Sequence, residues 1–307
     1  MLKNIVVFGG GSGLSNLVAG LRPFNLNIKA VVSVADDGGS TGLIRQSVTI
    51  PAVGDFRKVL SALTCKEMAD ILNYRFLNPL FKDHPLGNII MLALYEYSGY
   101  DFSYVTNKMN QYFLKNNEVL PVTYDSVILK AETEKGPCYG EELIHNFEGA
   151  ILKLENVPKS EVNKAVLEAI LEADMIIYAP GSLYTSILAV LCYEELVLTL
   201  SKSQALKVYI ANLFEDKNET VGMNLDSHIK ALEAVIGKNN LDVVIANNDI
   251  SICDDNILKG RKFIKPETKF KGFYQFYFDK YYEITDGILR HDLLKIGKFL
   301  SELKRGD

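Results

Sequence analysis

Residues 3–20, KNIVVFGGGSGLSNLVAG, combine an apolar run, a glycine cluster and a helical pattern in eighteen residues. The run at residues 5–8 is apolar without alternation, as expected of a strand buried on both faces of a parallel sheet. The glycines that follow remove Cβ atoms where the chain must turn and where a ligand must approach the backbone. Apolar residues then recur at helical spacing, so the first N–H groups of that helix should face an anion. The residues predicted to hold this anion are Gly10, Gly11, Ser12, Gly13 and Leu14.

This first turn matches neither of the common nucleotide-binding fingerprints. Leu14 and Asn16 stand where a third glycine of G-x-G-x-x-G would lie, and no Gly-Lys-Ser/Thr follows as in a Walker loop. A βα turn without a ligand is the alternative interpretation. The turn by itself therefore indicates a nucleotide or phosphate ester and names no reaction.

The composition excludes several classes of protein. The chain has 307 residues, 48% of them hydrophobic and 23% charged, with a net charge of −5 and a pI near 5.5. Such an acidic balance gives no electrostatic reason to expect nucleic acid or an anionic membrane as partner. Four scattered cysteines form no C-x-x-C pair, which argues against disulfides and zinc. The apolar residues 186–200 are interrupted by Glu194 and Glu195, and no signal peptide precedes the first strand, so we expect a cytoplasmic protein.

A second turn rich in glycine and acid follows the next apolar strand, at residues 35–42, ADDGGSTG. Asp36 or Asp37 lies where doubly wound sheets place the acid that binds ribose hydroxyls. Adjacent carboxylates also suit a divalent cation shared with substrate phosphates. An Asx-type turn is the alternative without a ligand. Both aspartates are therefore candidate ligand-binding residues.

Two later turns add candidates for acid–base chemistry. Asp55 is predicted as the N-cap of a helix with Arg57 and Lys58 in its first turn, cations that would oppose the helix dipole unless they face an anion. His84 precedes a Pro-Leu-Gly-Asn turn at the start of another helix and is the best placed of the four histidines for acid–base work. Ordinary helix capping and turn chemistry explain both segments equally well.

The second half of the chain repeats the opening pattern. Residues 174–178 predict a buried strand, and the turn after it places Gly181, Ser182 and Thr185 at a helix start, where they would cradle a second phosphate or a sugar. Asn212 follows the next strand, and Arg290 precedes the last helix, where a guanidinium would clamp a phosphate. Between the halves, short strands broken by glycines predict an antiparallel insertion at about residues 121–156.

Six segments of this sequence, taken in order, begin at Gly9 (GGGSGLSNLVAGL), Val31 (VVSVADDGGSTG), Pro51 (PAVGDFRK), His84 (HPLGN), Ala179 (APGSLYTSI) and Leu289 (LRHD). Together they resemble one family, the gluconeogenesis factors, which are related in fold to the 2-phospho-L-lactate transferases. A Gln-Pro-Gly-Glu-Thr run of that family is represented here by Glu219-Thr220 alone. The resemblance implies an α/β, Rossmann-like three-layer fold with a mainly parallel sheet, and one domain over residues 1–307.

The same resemblance implies a regulatory protein that binds a UDP-sugar and acts in carbon metabolism and cell shape. The alternative is a metal-dependent transferase that moves a phospholactyl-type group from a nucleotide diphosphate, with Mg²⁺ held by Asp37 and Asp55. Asp37, Asp55 and His84 are then the candidate catalytic residues. No other cofactor is expected; the expected partner is a UDP-sugar or related nucleotide, and a homodimer is compatible with the sequence.

Overall fold

The computed structural model describes residues 3–78, 81–238, 240–270 and 273–304. The strands are β1 Lys3–Gly9, β2 Leu26–Val32, β3 Glu118–Pro121, β4 Ile128–Thr133, β5 Gly136–Tyr139, β6 Ile151–Val157, β7 Met175–Tyr178, β8 Leu206–Ile210, β9 Val243–Asn247, β10 Gln275–Asp279, β11 Tyr282–Thr285 and β12 Ile288–His291. The helices are α1 Gly11–Leu21, α2 Gly39–Ser47, α3 Gly54–Leu63, α4 Lys66–Asn73, α5 Leu86–Tyr97, α6 Phe102–Phe113, α7 Glu141–His145, α8 Lys164–Glu172, α9 Ala189–Leu191, α10 Glu194–Lys202, α11 Leu225–Ile236, α12 Asp255–Leu258 and α13 Leu293–Glu302. A π-helix, Leu183–Leu188, leads directly into α9.

Seven strands form one parallel sheet in the order β10-β9-β8-β7-β1-β2-β3. Its central strands β1, β7, β8 and β9 are almost entirely buried, which explains their unalternated apolar sequences. On the helical layers, α1 packs against α3 and α13, and α10 packs against α8 and α11. The predicted Rossmann-like α/β fold is confirmed. The assignment of residues 1–307 to a single domain stays a prediction.

The strand order reverses at β1, whose neighbours are β2 on one side and β7 on the other. In open α/β sheets the loops at such a reversal form a crevice at the carboxyl ends of the strands, and ligands bind there. The loops that meet at this edge follow β1, β2, β7 and β8. They are the glycine-rich and acidic turns that the sequence singles out.

The antiparallel insertion is present as the sheet β5-β4-β6, so its strands occupy residues 128–157. The predicted range of about 121–156 begins at the last residue of β3, which pairs in parallel with β2 at the edge of the main sheet, and the first strand of the antiparallel sheet begins at Ile128. A second hairpin, β11-β12, was not predicted although residues 286–287 are Asp-Gly, the dipeptide typical of two-residue hairpin turns. Both residues adopt a positive φ, 52° and 70°, as that turn requires. The hairpin carries Arg290 to the edge of the sheet.

Within the described parts of the chain, no single helix has the length and apolarity needed to cross a bilayer. Two consecutive helical segments, Leu183–Leu191 and Glu194–Lys202, together have the length and composition of such a span, but they are bent by 73° relative to each other.

Candidate functional site

The start of α1 lies against the loop that follows β7. A Cβ atom on Gly13 would overlap the carbonyl oxygen of Pro180, so glycine is required for this close approach. Gly10 is the N-cap of α1, and Gly11 adopts a positive φ of 54°. Ser12 is exposed, whereas the side chain of Leu14 is fully buried in the core. The predicted turn therefore forms, with only its backbone and Ser12 facing outward.

A carboxylate from α3 already occupies the start of α1. The Gly11 N–H donates to Asp55 Oδ2 at 2.6 Å, and Lys58 Nζ lies 3.0 Å from Asp55 Oδ1. Burial alone would lower the pKa of Lys58, but the charge of Asp55 and the hydrogen bond to it outweigh burial and raise this pKa. The prediction that Asp55 caps its own helix is wrong: Val53 is the N-cap of α3, and the Asp55 side chain reaches α1 instead. The cations Arg57 and Lys58 thus begin α3 beside a carboxylate.

The two aspartates after β2 have separate roles. Asp36 Oδ1 accepts a hydrogen bond from the Gly38 N–H at 2.9 Å within its own turn. Asp37 Oδ1 accepts one from the Glu142 N–H at 3.2 Å, which attaches the insertion to the carboxyl edge of the sheet. Gly140, whose φ is 95°, passes so close to Asp37 that a Cβ atom there would overlap the carboxylate. The Asp36-Asp37 turn is therefore a junction between the parallel sheet and the insertion.

Several carboxylates crowd this part of the edge. Burial, followed by the charges of Asp36, Asp55 and Asp37, raises the pKa of Glu141 to about 9. Burial and the charge of Asp55 also raise the pKa of Asp36. A group of carboxylates that repel one another favours a proton or a cation in their midst. Among the described residues, no three His, Cys, Asp or Glu side chains are arranged as ligands of one metal ion.

Glu219 is a site residue that the sequence did not single out as a ligand-binding candidate. Its side chain is fully buried and accepts hydrogen bonds from the Tyr184 N–H at 2.9 Å and from the Thr185 hydroxyl. It also lies 3.0 Å from His145 Nδ1, on α7 of the insertion. Glu219 therefore accepts a backbone N–H at the start of the π-helix, as Asp55 does at the start of α1. The sequence signal for Glu219 is that Glu219-Thr220 are the two residues retained from the Gln-Pro-Gly-Glu-Thr run of the family.

Asn212 and Gly181 form a reciprocal pair across neighbouring strands. Gly181 N–H donates to Asn212 Oδ1 at 2.8 Å, and Asn212 Nδ2 donates to the Gly181 carbonyl at 2.7 Å. Gly181 takes a φ of 154°, in the range that side chains avoid. Asn212 thus fixes the loop after β7 from the end of β8, which makes it a positioning residue for Gly181 and Ser182.

A cavity of about 430 Å³ opens at these loops. Its lining includes Gly13, Gly181, Ser182 and Asn212 and, from the other side, Arg261 and Arg290. The Arg261 guanidinium lies over the Phe214 ring, 4.2 Å from its centroid. Three carboxylates, those of Glu215, Asp216 and Glu283, also line it, and Asp36, Asp37, Asp55 and His84 do not.

Three further features are not assigned to the ligand site. His291 lines the same cavity, but its Nε2 contacts the Ala211 carbonyl at 3.1 Å, and burial lowers its pKa to about 4. It is therefore a neutral structural residue. A larger cavity of about 810 Å³ lies at the amino ends of β1, β2 and β7, the edge at which open α/β sheets do not bind their ligands. His84 lies elsewhere on the carboxyl edge, with its Nδ1 2.9 Å from Ser40 Oγ.

The chain is similar to known proteins along most of its length. The sequence profile of the family "2-phospho-L-lactate transferase CofD" matches residues 5–271. The gluconeogenesis factor of Halalkalibacterium halodurans is 35% identical over 313 residues, which cover 98% of this chain and 97% of that protein. The gluconeogenesis factor of Bacillus subtilis is 38% identical over 251 residues, covering 80% and 78%.

A crystal structure of a protein from Bacillus halodurans has the same fold, with a TM-score of 0.92 and 34% sequence identity over 98% of this chain and 100% of that one. The six segments of the resemblance, the strand order and these relatives agree with one another. The chain belongs to the gluconeogenesis factor family and has a CofD-like fold.

Proposed function

We propose that this protein binds a UDP-sugar and acts as a cytoplasmic regulator of carbon metabolism and cell shape. The observation that supports the proposal is the cavity lined by Gly181, Ser182, Arg261 and Arg290 at the carboxyl ends of β7 and β8. Its volume of about 430 Å³ is in the range of small-molecule sites. Its position at the reversal of the strand order is where such sheets bind nucleotides.

The cavity offers distinct surfaces to the parts of such a ligand. The Arg290 side chain is exposed and has no hydrogen-bond or ion-pair partner among the described residues, so it is available to a diphosphate. The Arg261 guanidinium on Phe214 presents a flat face on which a base stacks. The Ser182 hydroxyl and the second lone pair of the Gly181 carbonyl supply neutral hydrogen bonds for a sugar.

Titration calorimetry with UDP-glucose and UDP-N-acetylglucosamine tests this proposal. We expect Arg290→Gln to weaken binding about tenfold, or about 1.4 kcal/mol. Lys298→Gln is the matched control, since it removes an exposed cation of α13 that does not line the cavity. Absence of heat with either UDP-sugar, or equal affinity in Arg290→Gln and wild type, would contradict the proposal.

The carboxylates near β2 favour a second candidate, a metal-dependent transferase like 2-phospho-L-lactate transferase. Burial, followed by the charges of these carboxylates, raises the pKa of Glu141, and a divalent cation relieves the repulsion between them. Asp37 and Asp55 present the oxygen ligands that Mg²⁺ prefers, and their hydrogen bonds to Glu142 and Gly11 leave further lone pairs. Bound there, the metal would neutralise charge on a diphosphate leaving group.

The two candidates differ in what they require. The transferase needs Mg²⁺ for nucleotide binding, so Asp37→Asn abolishes that binding. The regulator binds UDP-sugars in the presence of EDTA and keeps that binding in Asp37→Asn. Thermal-shift measurements with GTP and UDP-sugars, each with Mg²⁺ or with EDTA, separate these outcomes. Metal-dependent GTP binding without any response to UDP-sugars would favour the transferase.

A further inference from the structure

A chain of hydrogen bonds connects a buried arginine to a serine and a histidine at the carboxyl edge. Arg57 Nε donates to Asn88 Oδ1 at 3.1 Å, and Asn88 Nδ2 lies 2.9 Å from Ser40 Oγ. Ser40 Oγ in turn lies 2.9 Å from His84 Nδ1. Arg57 and Asn88 are buried, at 8% and 1% exposure, while Ser40 and His84 are half-buried. The outer end of the chain is thus reachable by a small molecule.

The direction of this chain follows from its buried end. A guanidinium can only donate, so the Asn88 atom facing Arg57 is the oxygen and the atom facing Ser40 is the nitrogen. Asn73 Oδ1 also accepts from Arg57 and holds the guanidinium in place. Ser40 therefore accepts from Asn88 and has its own proton left to donate to His84 Nδ1. In neutral His84 the proton then resides on Nε2, and Nδ1 is a base aimed at the serine hydroxyl.

The backbone around Ser40 suits a nucleophile. Residues 38–42, GGSTG, read G-x-S-x-G between a strand and a helix, as in the serine turns of α/β-hydrolases. The left-handed φ, 48°, belongs here to Gly39, which precedes the serine. In the part of the chain that the structure describes, the N–H groups of Gly39, Ser40 and Thr41 have no acceptor, as expected of the first turn of α2. They are donors for an oxyanion beside Ser40.

We infer that Ser40 is a nucleophile activated by His84, acting on neutral or cationic carboxylic esters. Ser40 Oγ attacks the carbonyl carbon as its proton passes to His84 Nδ1, and the ester C–O bond then breaks as His84 gives that proton to the leaving oxygen, which departs as the alcohol or phenol. Water then attacks the acyl-serine, gives one proton back to Ser40 through His84 and releases the carboxylic acid. The carboxylate of Asp37, three residues before Ser40, disfavours an anionic ester. This inference is independent of the nucleotide-sugar site.

p-Nitrophenyl acetate is the probe. With the full chain we expect a burst of p-nitrophenolate and one acetyl group on the peptide that contains Ser40, located by tandem mass spectrometry. Ser40→Ala abolishes both, and His84→Gln slows acylation about 10²-fold because the general base is lost. Ser47→Ala, an exposed serine at the other end of α2, serves as the matched control and behaves as wild type.

Asn88→Asp distinguishes positioning of the serine from support of the fold. A carboxylate at residue 88 only accepts, so it takes the Ser40 proton away from His84, yet it forms an ion pair with Arg57 that maintains the fold. We expect acylation to fall as far as in His84→Gln while the melting temperature stays at or above that of wild type. Acetylation found on lysines alone, or an unchanged burst in His84→Gln or in Asn88→Asp, would overturn the inference.

Discussion

The starts of α1 and α2 follow neighbouring parallel strands, and both are built from glycines and a serine, yet they differ in what faces them. At α1 the Gly11 N–H is already bonded to Asp55, a residue 44 positions away in the chain. At α2 the first N–H groups have no acceptor among the described residues, and Ser40 and His84 lie beside them. The π-helix resembles α1, because Glu219 occupies its start. A glycine-rich turn thus predicts a positive helix end but does not tell whether the protein itself fills it.

The strongest test of a filled start is Glu219→Ala. It leaves the Tyr184 N–H, the Thr185 hydroxyl and His145 without their shared acceptor in a fully buried position. We expect the free energy of unfolding to fall by about 4 kcal/mol, because two buried donors lose their acceptor at a cost of about 2 kcal/mol each. Urea denaturation measures the loss, and Glu148→Ala, an exposed glutamate of the insertion, is expected to change it by less than about 0.5 kcal/mol.

Gly13→Ala and Gly39→Ala compare how tightly the two starts are packed. A Cβ atom on Gly13 overlaps the Pro180 carbonyl, so we expect a loss of about 3 kcal/mol in unfolding free energy. A Cβ atom on Gly39 meets no atom within 4 Å among the described residues, and the cost there, about 1 kcal/mol, comes from the positive φ alone. Equal losses in the two variants would contradict the difference in packing.

Asp55→Ala converts the filled start of α1 into an open one. The variant loses the Gly11 hydrogen bond and the partner of Lys58, at a cost of about 2 kcal/mol in the free energy of unfolding. Inorganic phosphate should then raise the melting temperature of the variant more than that of wild type, because an anion can replace the carboxylate. Asp70→Ala, an exposed aspartate of α4, provides the reference.

Glu141 provides a test of a different kind, the dependence of stability on pH. Its pKa is about 9 in the folded protein, well above the ordinary pKa of a glutamate. At a pH between these two pKa values the folded state keeps a proton that the unfolded chain has lost. Stability must then fall as pH rises through that window, by at most about 1.4 kcal/mol per pH unit. Glu141→Gln should flatten the decline between about pH 6 and pH 8 in urea titrations. An equal slope in both proteins would show that Glu141 is not protonated in the fold.

The sequence predicted the parallel sheet and the location of its glycine-rich and acidic turns, because buried strands and glycine turns are local patterns. It predicted that residues 10–14, Asp36, Asp37, Gly181 and Thr185 follow strand ends, and the structure places them there. It could not show which carboxylate reaches which helix, since the bonds of Asp55 to Gly11 and of Glu219 to Tyr184 join residues far apart in sequence. For the same reason Asp55 was assigned to its own helix. The Asp-Gly turn of the β11-β12 hairpin, by contrast, is a local signal.

The insertion is attached to the carboxyl edge through two carboxylates. Asp37 accepts the Glu142 N–H at 3.2 Å, and Glu219 lies 3.0 Å from His145 Nδ1, so both ends of α7 rest on acids of the edge. A cation that binds Asp37 changes the acceptor on which the insertion depends, and the position of the insertion in turn changes the affinity for the cation. The two equilibria are therefore linked and reciprocal. The amide hydrogen exchange rates of residues 128–157 would then change when a cation binds at the carboxyl edge, and they would report that binding.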